Sequence, residues 1–109
     1  MAKTSPYATG ELSDAMMLIL ACVSEHPVHG YRIMRDLAIR SEGAVQIGPA
    51  TMYRVLKGMR DAGWVREIGD DSSRIKYQAT EAGMRVLGRD LSRRKLMIKI
   101  ATESLRREG

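Results

Sequence analysis

The stretch from Gly48 to Gly63 has the features of one short helix with two different faces. Pro49 suits the first helical turn, where its missing N–H would be unpaired anyway, and Gly63 suits a left-handed stop. Apolar side chains recur between them at i, i+3, i+4 and i+7, the spacing of a stripe that packs on a core. The members of this stripe are Met52, Val55, Leu56 and Met59. The rest of the chain must therefore supply a core beneath this helix.

The other face of the same helix carries polar and basic groups. Its members are Thr51, Arg54, Lys57 and Arg60. A helix of this kind fits a DNA major groove about 12 Å wide and offers donors for guanine edges and phosphates. The alternative is an ordinary amphipathic surface helix with solvated basic side chains, and the neighbouring segments must decide between the two.

Length and composition narrow the class of protein. The chain of 109 residues has room for one small domain with an added arm or helix, and 44% apolar with 28% charged residues is typical of a soluble globular protein. A formal net charge of +5 favours a polyanionic partner. One cysteine excludes an internal disulfide framework. No apolar run approaches membrane-spanning length and no stretch resembles a secretory leader, so we expect a cytoplasmic protein and no membrane partner.

The segments before the central helix predict an arm and two further helices. Residues 1–11 indicate a flexible or loosely docked arm. From the plausible N-cap Ser13, residues 15–23 are apolar on nearly every face and predict a helix that is buried all round. A second helix follows from Tyr31 to about Ser41, with Tyr31 expected to face inward, and residues 45–47 could form a strand of three residues.

The segments after the central helix are β in character. Residues 64–68 and 74–79 alternate apolar with polar side chains, and the turn formers of 69–73 lie between them. In the second strand, Arg74 and Lys76 share the polar face. This hairpin places a basic edge beside the basic helix.

Thr80 is a good N-cap for a long final helix. A seven-residue repeat runs along this helix, with one basic interruption at Arg94. The apolar members are Met84, Leu87, Leu91, Ile98, Ala101 and Leu105. So small a chain has little left to cover these residues, which predicts dimerisation through a partner helix. The alternative is a brace that folds back on the apolar first helix of the same chain.

The order of these elements predicts a fold that is mainly α with a small antiparallel β-wing. It is a winged helix-turn-helix with a long C-terminal dimerisation helix. The predicted organisation is an N-terminal arm at 1–11, a DNA-binding domain at 12–79 and the dimerisation helix at 80–109.

The ordered motifs of the chain resemble the PadR-like transcriptional regulators, in size their short branch. The residues that carry the resemblance are Leu18-Ile19-Leu20, His29-Gly30-Tyr31, the run from Gly48 to Leu56, Gly63, and the run from Tyr77 to Gly83. The resemblance covers residues 12–87 and implies a bacterial, dimeric DNA-binding regulator. It further implies a repressor that leaves its operator when a small molecule binds near the dimer interface.

Two departures from the family pattern are visible. Asp70 and Asp71 at the predicted wing tip would repel phosphate, so we expect the wing contacts at Arg74 and Lys76 instead. Some members hold flat aromatic compounds with a tryptophan of the final helix, whereas the only tryptophan here, Trp64, precedes that helix.

The function predicted from the sequence is a sequence-specific transcriptional regulator, a homodimer on a pseudo-palindromic double-stranded DNA operator. The predicted DNA-binding residues are Thr51, Tyr53, Arg54, Lys57, Arg74 and Lys76. Tyr53 is expected to pack against the second helix and to reach a phosphate with its hydroxyl. No phosphate loop, paired carboxylates or nucleophile with its base is recognisable, so we expect no enzyme, no metal site and no cofactor. The alternatives are a winged-helix protein-interaction module and a non-specific architectural DNA binder.

Overall fold

The computed structural model describes residues 5–69 and 74–108, in which five helices surround a small three-stranded sheet. In chain order the elements are α1 (Pro6–Thr9), α2 (Asp14–Glu25), β1 (Val28–His29), α3 (Gly30–Arg40), α4 (Pro49–Asp61), β2 (Val65–Gly69), β3 (Ile75–Ala79) and α5 (Glu81–Glu108). Helices α3 and α4, the hairpin of β2 and β3, and the long α5 follow in the predicted order. The prediction of a mainly helical winged fold with a long C-terminal helix is confirmed.

The ends of the helices follow from local side-chain chemistry. Ser13 caps α2, because its hydroxyl oxygen accepts a hydrogen bond from the Met16 amide at 3.2 Å. Thr80 caps α5 by accepting from the Gly83 amide at 3.1 Å, and its own hydroxyl donates to the Gly63 carbonyl at 2.6 Å. Gly63 has φ +82°, a left-handed conformation that glycine adopts without strain, so it ends α4 as predicted.

Helix α2 lies at the centre of the core. Met16, Ile19, Leu20, Cys22 and Val23 are buried, and the other residues between Met16 and Val23 are partly buried, because α3, α4, β3 and α5 all pack on this helix. The apolar stripe of α4 completes the core from the other side. All four of its members, Met52, Val55, Leu56 and Met59, are buried.

The sheet has the antiparallel order β1-β3-β2. Its edge strand β1 pairs Val28 with Tyr77, a pairing that the sequence did not predict. The strand predicted at 45–47 does not form, since the Val45 amide donates instead to the Ser41 hydroxyl at 2.8 Å. Tyr31 is also exposed rather than buried, because it lies in the first turn of α3 beyond the core.

Of the flexible or loosely docked arm predicted at 1–11, the structure describes residues 5–11; residues 1–4 lie outside the described part. Residues Pro6–Thr9 form the single helical turn α1, whose first amides are capped by the Ser5 hydroxyl, 3.2 Å from the Tyr7 nitrogen. The turn is docked rather than loose, because the ring of Tyr7 lies against Trp64 with 5.3 Å between the ring centroids.

The two halves of α5 have different surroundings. In the first half, Leu87, which was predicted as a dimerisation residue, is buried in the core of its own chain. The reason is that α5 begins beside Trp64, where a Cβ added to Gly83 would overlap the Trp64 carbonyl oxygen. In the second half, Leu96, Ile98, Ile100 and Leu105 are exposed. The alternative of an intramolecular brace therefore describes only the first half of this helix.

A buried carboxylate joins the first half of α5 to the start of α2. Asp90 is 1% exposed and accepts hydrogen bonds from the Leu12 amide at 3.1 Å, from Arg93 at 2.8 Å and from Arg94 at 2.7 Å. Arg94 also donates to the Leu12 carbonyl at 2.7 Å and to Asp14 at 2.8 Å. The basic interruption of the heptad repeat is thus a contact within the chain.

None of the helices in the described ranges is long and apolar enough to cross a membrane.

Candidate nucleic-acid interface

Helix α4 presents two cations that its own chain does not use. Arg54 and Lys57 are exposed, and among the residues that the structure describes neither has a hydrogen-bond or ion-pair partner. Thr51, near the start of the helix, is half-buried beside them. Because the opposite stripe of α4 is buried in the core, these side chains are held on a fixed surface. Two unpaired cations on a rigid helix are suited to a polyanion.

Arg60, the last basic residue of the helix, has a different role. Its guanidinium donates to Glu67 of β2 at 2.7 Å and to Asp61 at 3.3 Å. The hydrogen bond that Arg60 donates to Glu67 is the main reason that the pKa of Arg60 is raised. Arg60 therefore connects the end of α4 to the wing.

Tyr53 packs on the start of α3, as expected from the sequence. A Cβ added to Gly30 would lie 2.8 Å from Cε1 of Tyr53 and 2.9 Å from its hydroxyl oxygen, so only glycine leaves room for this ring. The ring nevertheless remains partly exposed. Its hydroxyl can therefore reach a phosphate from a position fixed by the fold.

An open cleft of about 630 Å³ lies between Tyr53 of α4, the start of α3 and the strand β3 of the wing. It is lined by Tyr53, by Arg74, Ile75 and Tyr77 of the wing, and by His29, Gly30 and Tyr31. His29 and Tyr31 stack with 6.0 Å between their ring centroids, and Nδ1 of His29 lies 3.3 Å from the Ile75 carbonyl oxygen. Since that carbonyl can only accept, Nδ1 carries the proton in this bond. Sequence reasoning did not find this aromatic pair, although the His-Gly-Tyr motif contains both residues.

The wing contributes only one of its two predicted cations to this cleft. Arg74 and Tyr53 line the same cleft, whereas Lys76 is half-buried and does not line it. Lys76 and Tyr77 are neighbours in β3, so their side chains leave opposite faces of the sheet. The predicted wing tip, with Asp70 and Asp71, lies outside the described residues.

Two further titratable side chains, Cys22 and Tyr77, lie in the core. Burial raises the pKa of the Cys22 thiol, which keeps this side chain protonated inside the core. Within the described ranges, no group of three or more His, Cys, Asp or Glu side chains converges on one point. Burial also raises the pKa of Tyr77.

A second, apolar cavity lies far along α5. It has a volume of about 580 Å³ and opens between α2 and the exposed half of α5. Its lining consists of Met17, Leu91, Arg94, Lys95, Met97, Ile98 and Ala101. Leu91, Ile98 and Ala101 were predicted as dimerisation residues, and Met84 and Leu105 are exposed on the same helix.

Comparison with known proteins gives one family. The model described as the transcriptional regulator PadR-like family matches residues 19–89. This range runs from the middle of α2 to the buried half of α5 and includes all the predicted DNA-binding residues.

Solved structures of similar fold cover most of the chain. A transcriptional regulator from Clostridium thermocellum has 19% identity and a TM-score of 0.76, and the match covers 94% of this chain and 97% of that one. A PadR family transcription regulator from hypervirulent Clostridium difficile has 19% identity and a TM-score of 0.73, with 85% and 99% covered. A PadR family regulator from Eggerthella lenta has 24% identity and a TM-score of 0.69, with 82% and 75% covered. At these identities the similarity is one of fold.

A curated relative is a protein from Streptomyces fradiae described as "Uncharacterized 37.1 kDa protein in transposon TN4556". It is 30% identical over 78 residues, which are 72% of this chain. The chain spans 22% of the length of that relative.

Proposed function

The chain belongs to the PadR-like family of transcriptional regulators, and from this premise we propose that it is a homodimeric repressor of a pseudo-palindromic DNA operator. Membership makes the protein a DNA-binding regulator rather than an enzyme. The observation that carries the proposed recognition mode is the pair of unpaired cations on α4. Arg54 and Lys57 contact base edges and phosphates, and Thr51 contacts the backbone beside them.

The wing and the cleft extend this contact to the DNA backbone. Arg74 and the hydroxyl of Tyr53 line one cleft next to α4, which supports their contact with phosphates on one side of the groove. Lys76 contacts the flanking backbone from the other face of β3. Such contacts fix the register of the helix and carry no base specificity.

Dimerisation follows from the exposed half of α5. Large apolar side chains left in water on a helix with a heptad repeat favour a second copy of the helix. The dimerisation residues are Met84, Leu91, Ile98, Ala101 and Leu105. A dimer places the two recognition helices on half-sites about one DNA turn, roughly 34 Å, apart. A small effector that enters the apolar cavity beside Ile98 releases the operator by favouring another arrangement of the two helices.

The first experiment is selection of binding sites from a random duplex pool at near-physiological salt. An inverted repeat with half-site centres about one turn apart is the expected result. A retained pool that stays random, with binding that fades as salt rises, would replace the proposal with a non-specific architectural binder. If no duplex is retained, the protein-interaction module becomes the better explanation.

The recognition face is tested with two double variants of equal charge change. Alanine at both Arg54 and Lys57 should lower affinity for the selected operator by about 100-fold or more, since each specific contact contributes about 1–3 kcal/mol. The control carries alanine at Lys99 and Arg106, two exposed basic residues of α5. It should lose only the weaker, non-specific attraction. Equal losses in the two variants would contradict the assigned face.

A further inference from the structure

Gly58 is an unexpected residue in the middle of the recognition helix α4. Glycine is the least favourable helix residue after proline, because it loses the most backbone freedom on folding. Its φ lies outside the left-handed region, so the backbone of α4 does not require glycine here. The requirement must come from what lies over this position.

Tyr7 of the N-terminal turn α1 occupies the space that a side chain would need. A Cβ added to Gly58 would overlap the hydroxyl oxygen of Tyr7 and would lie 3.2 Å from its Cε1. On its other side, the ring of Tyr7 packs on Trp64 at an interplanar angle of 39°. Because Gly58 has no side chain, it leaves a gap in the surface of α4, which we call the Gly58 notch, and the side chain of Tyr7 fills this gap.

The same turn also lies near the dimerisation helix. A Cβ added to Gly10, which follows α1, would lie 3.9 Å from Cγ1 of Val86 in α5. A crevice of about 170 Å³ continues from Tyr7 past Trp64 to Val86 and Arg89. Residues 6–10 thus lie against α4 at one end and line one crevice together with α5 at the other.

Tyr7 is also a neighbour of the cation proposed to read the DNA. Burial raises the pKa of the Tyr7 hydroxyl, and the nearby charge of Arg54 acts in the opposite direction. Arg54 precedes Gly58 by one helical turn, so the two positions are adjacent on the surface of α4. A change in the position of the Tyr7 ring at Gly58 therefore changes the surroundings of Arg54.

We propose that Tyr7, seated in the Gly58 notch, is a positioning residue that fixes α4 and its Arg54 relative to α5. The inference rests on the proposed function, because it assigns a role in DNA recognition. In a dimer joined through α5, the angle between α4 and α5 determines the distance between the two recognition helices. The turn α1 fixes that angle because it lies against α4 and next to α5, without any contact between Tyr7 and DNA.

The test uses three variants of the full chain: Gly58→Ala, Tyr7→Ala and Tyr7→Phe. Gly58→Ala inserts a methyl group where the Tyr7 hydroxyl lies, and Tyr7→Ala removes the ring. Tyr7→Phe keeps the ring and loses only the hydroxyl. Two measurements follow for each variant: affinity for the operator selected from the random pool, and the fluorescence of Trp64, which is the one tryptophan of the chain.

The docking itself is measured without DNA. Displacement of Tyr7 exposes Trp64, so Gly58→Ala and Tyr7→Ala should shift its emission to longer wavelength and increase quenching by acrylamide. Tyr7→Phe should leave both properties as in the unsubstituted protein. Because this measurement needs no nucleic acid, it remains informative if the protein binds no duplex and the proposed function fails.

The positioning role is measured on the operator. Gly58→Ala and Tyr7→Ala should each weaken binding by about tenfold, which is within the range for residues that act through their neighbours. Tyr7→Phe should bind as the unsubstituted protein does. The control is Gly88→Ala in α5, where a Cβ meets open space, so that the same substitution in another helix should change neither measurement.

Three results would overturn the proposal. Unchanged Trp64 fluorescence in Gly58→Ala would mean that Tyr7 is not seated in the notch. If Trp64 fluorescence shows that Tyr7 is displaced and the affinity for the operator is unchanged, the docking of Tyr7 at Gly58 has no role in DNA recognition. An equal loss of affinity in Tyr7→Phe and Tyr7→Ala, with the Trp64 fluorescence of Tyr7→Phe unchanged, would mean that the hydroxyl contacts DNA directly and that Tyr7 is not a positioning residue.

Discussion

The two halves of α5 carry the same heptad repeat, and only the first half places a member of the repeat in the core: Leu87 is buried, whereas Met84 and Leu91 of that half are 46% and 40% exposed. In the half that follows Thr80, Leu87 is 9% exposed and packs in the core of its own chain. In the half that follows Arg94, Ile98 is 65% exposed on the same repeat. The comparison teaches that a seven-residue repeat predicts an apolar face on a helix, and does not predict whether its own chain or a second chain covers that face.

The boundary between the two halves is the buried group around Asp90. Three donors converge on its carboxylate, and Arg94 carries the connection on to the Leu12 carbonyl. Such a hydrogen-bonded group fixes the relative position of the two helices. If one partner moves away, the donor or acceptor that it leaves behind loses its hydrogen bond. It holds the first half of α5 against α2 and leaves the second half to extend away.

The largest expected effect is the removal of the Asp90 carboxylate. Asp90→Ala removes the acceptor of the Leu12 amide and one of the three acceptors of Arg94, and breaking a buried ion pair in this way lowers the free energy of unfolding by about 3–5 kcal/mol. Urea unfolding measures this loss. The control is Asp14→Ala, which removes the exposed acceptor of Arg94 and should have an effect of about 1 kcal/mol or less. Similar losses in both variants would contradict a special role of the buried group.

Next in size is the loss of the buried apolar residue of the first half. Leu87→Ala should lower the free energy of unfolding by about 2–3 kcal/mol, the lower part of the range for core leucines because Leu87 lies at the edge of the core. The loss should not depend on protein concentration, since Leu87 packs within one chain. A loss that disappears in dilute solution would instead place Leu87 in the dimer interface.

A smaller effect is expected in the second half of the helix. Ile98→Ala should weaken the proposed dimer by about 1–2 kcal/mol per chain, because an apolar side chain is no longer removed from water on association. Light scattering at several concentrations should show earlier dissociation toward the 12.2 kDa chain. Ile39→Ala is the matched control: Ile39 is 64% exposed on α3 and belongs to no repeat. Equal dissociation of the two variants would remove the second half of α5 from the interface.

Most of the fold could be predicted because local patterns were strong. Ser13 and Thr80 as caps, Gly63 as a stop and the buried stripe of α4 all depend on interactions within a few residues. Strand β1 could not be predicted, since a strand of two residues has no periodicity and forms only because β3 offers an edge at Tyr77. The burial of Leu87 could not be predicted for a related reason, because it depends on where α5 begins beside Trp64.

The candidate site was likewise predicted only in part. Arg54 and Lys57 were visible as the polar face of a helix, and the structure leaves both exposed. The seat of Tyr7 on Gly58 joins positions 51 residues apart in the chain, and no local pattern indicates such a contact. Glycine in the middle of a predicted helix was the one signal in the sequence that could have pointed to it.

The smallest expected effect is a dependence of stability on pH that belongs to the first half of α5. Burial of Asp90 raises its pKa, but hydrogen bonds from Arg93, Arg94 and the Leu12 amide outweigh burial and hold the pKa below the ordinary value of 3.8. A carboxyl group with a lowered pKa stabilises the folded state fully above its unfolded pKa, and this contribution is lost as pH falls through the folded pKa.

The stability difference between the unsubstituted chain and Asp90→Asn should therefore be constant from about pH 7 to about pH 5 and become smaller below about pH 4. Urea unfolding across this range measures it. Glu103→Gln removes an exposed carboxyl from the second half of α5, and serves as the control for the loss of one acid. A difference for Asp90→Asn that stays constant down to about pH 3 would mean that the ionised carboxylate does not hold the first half of α5 in place. Leu87 alone would then account for the contrast between the two halves.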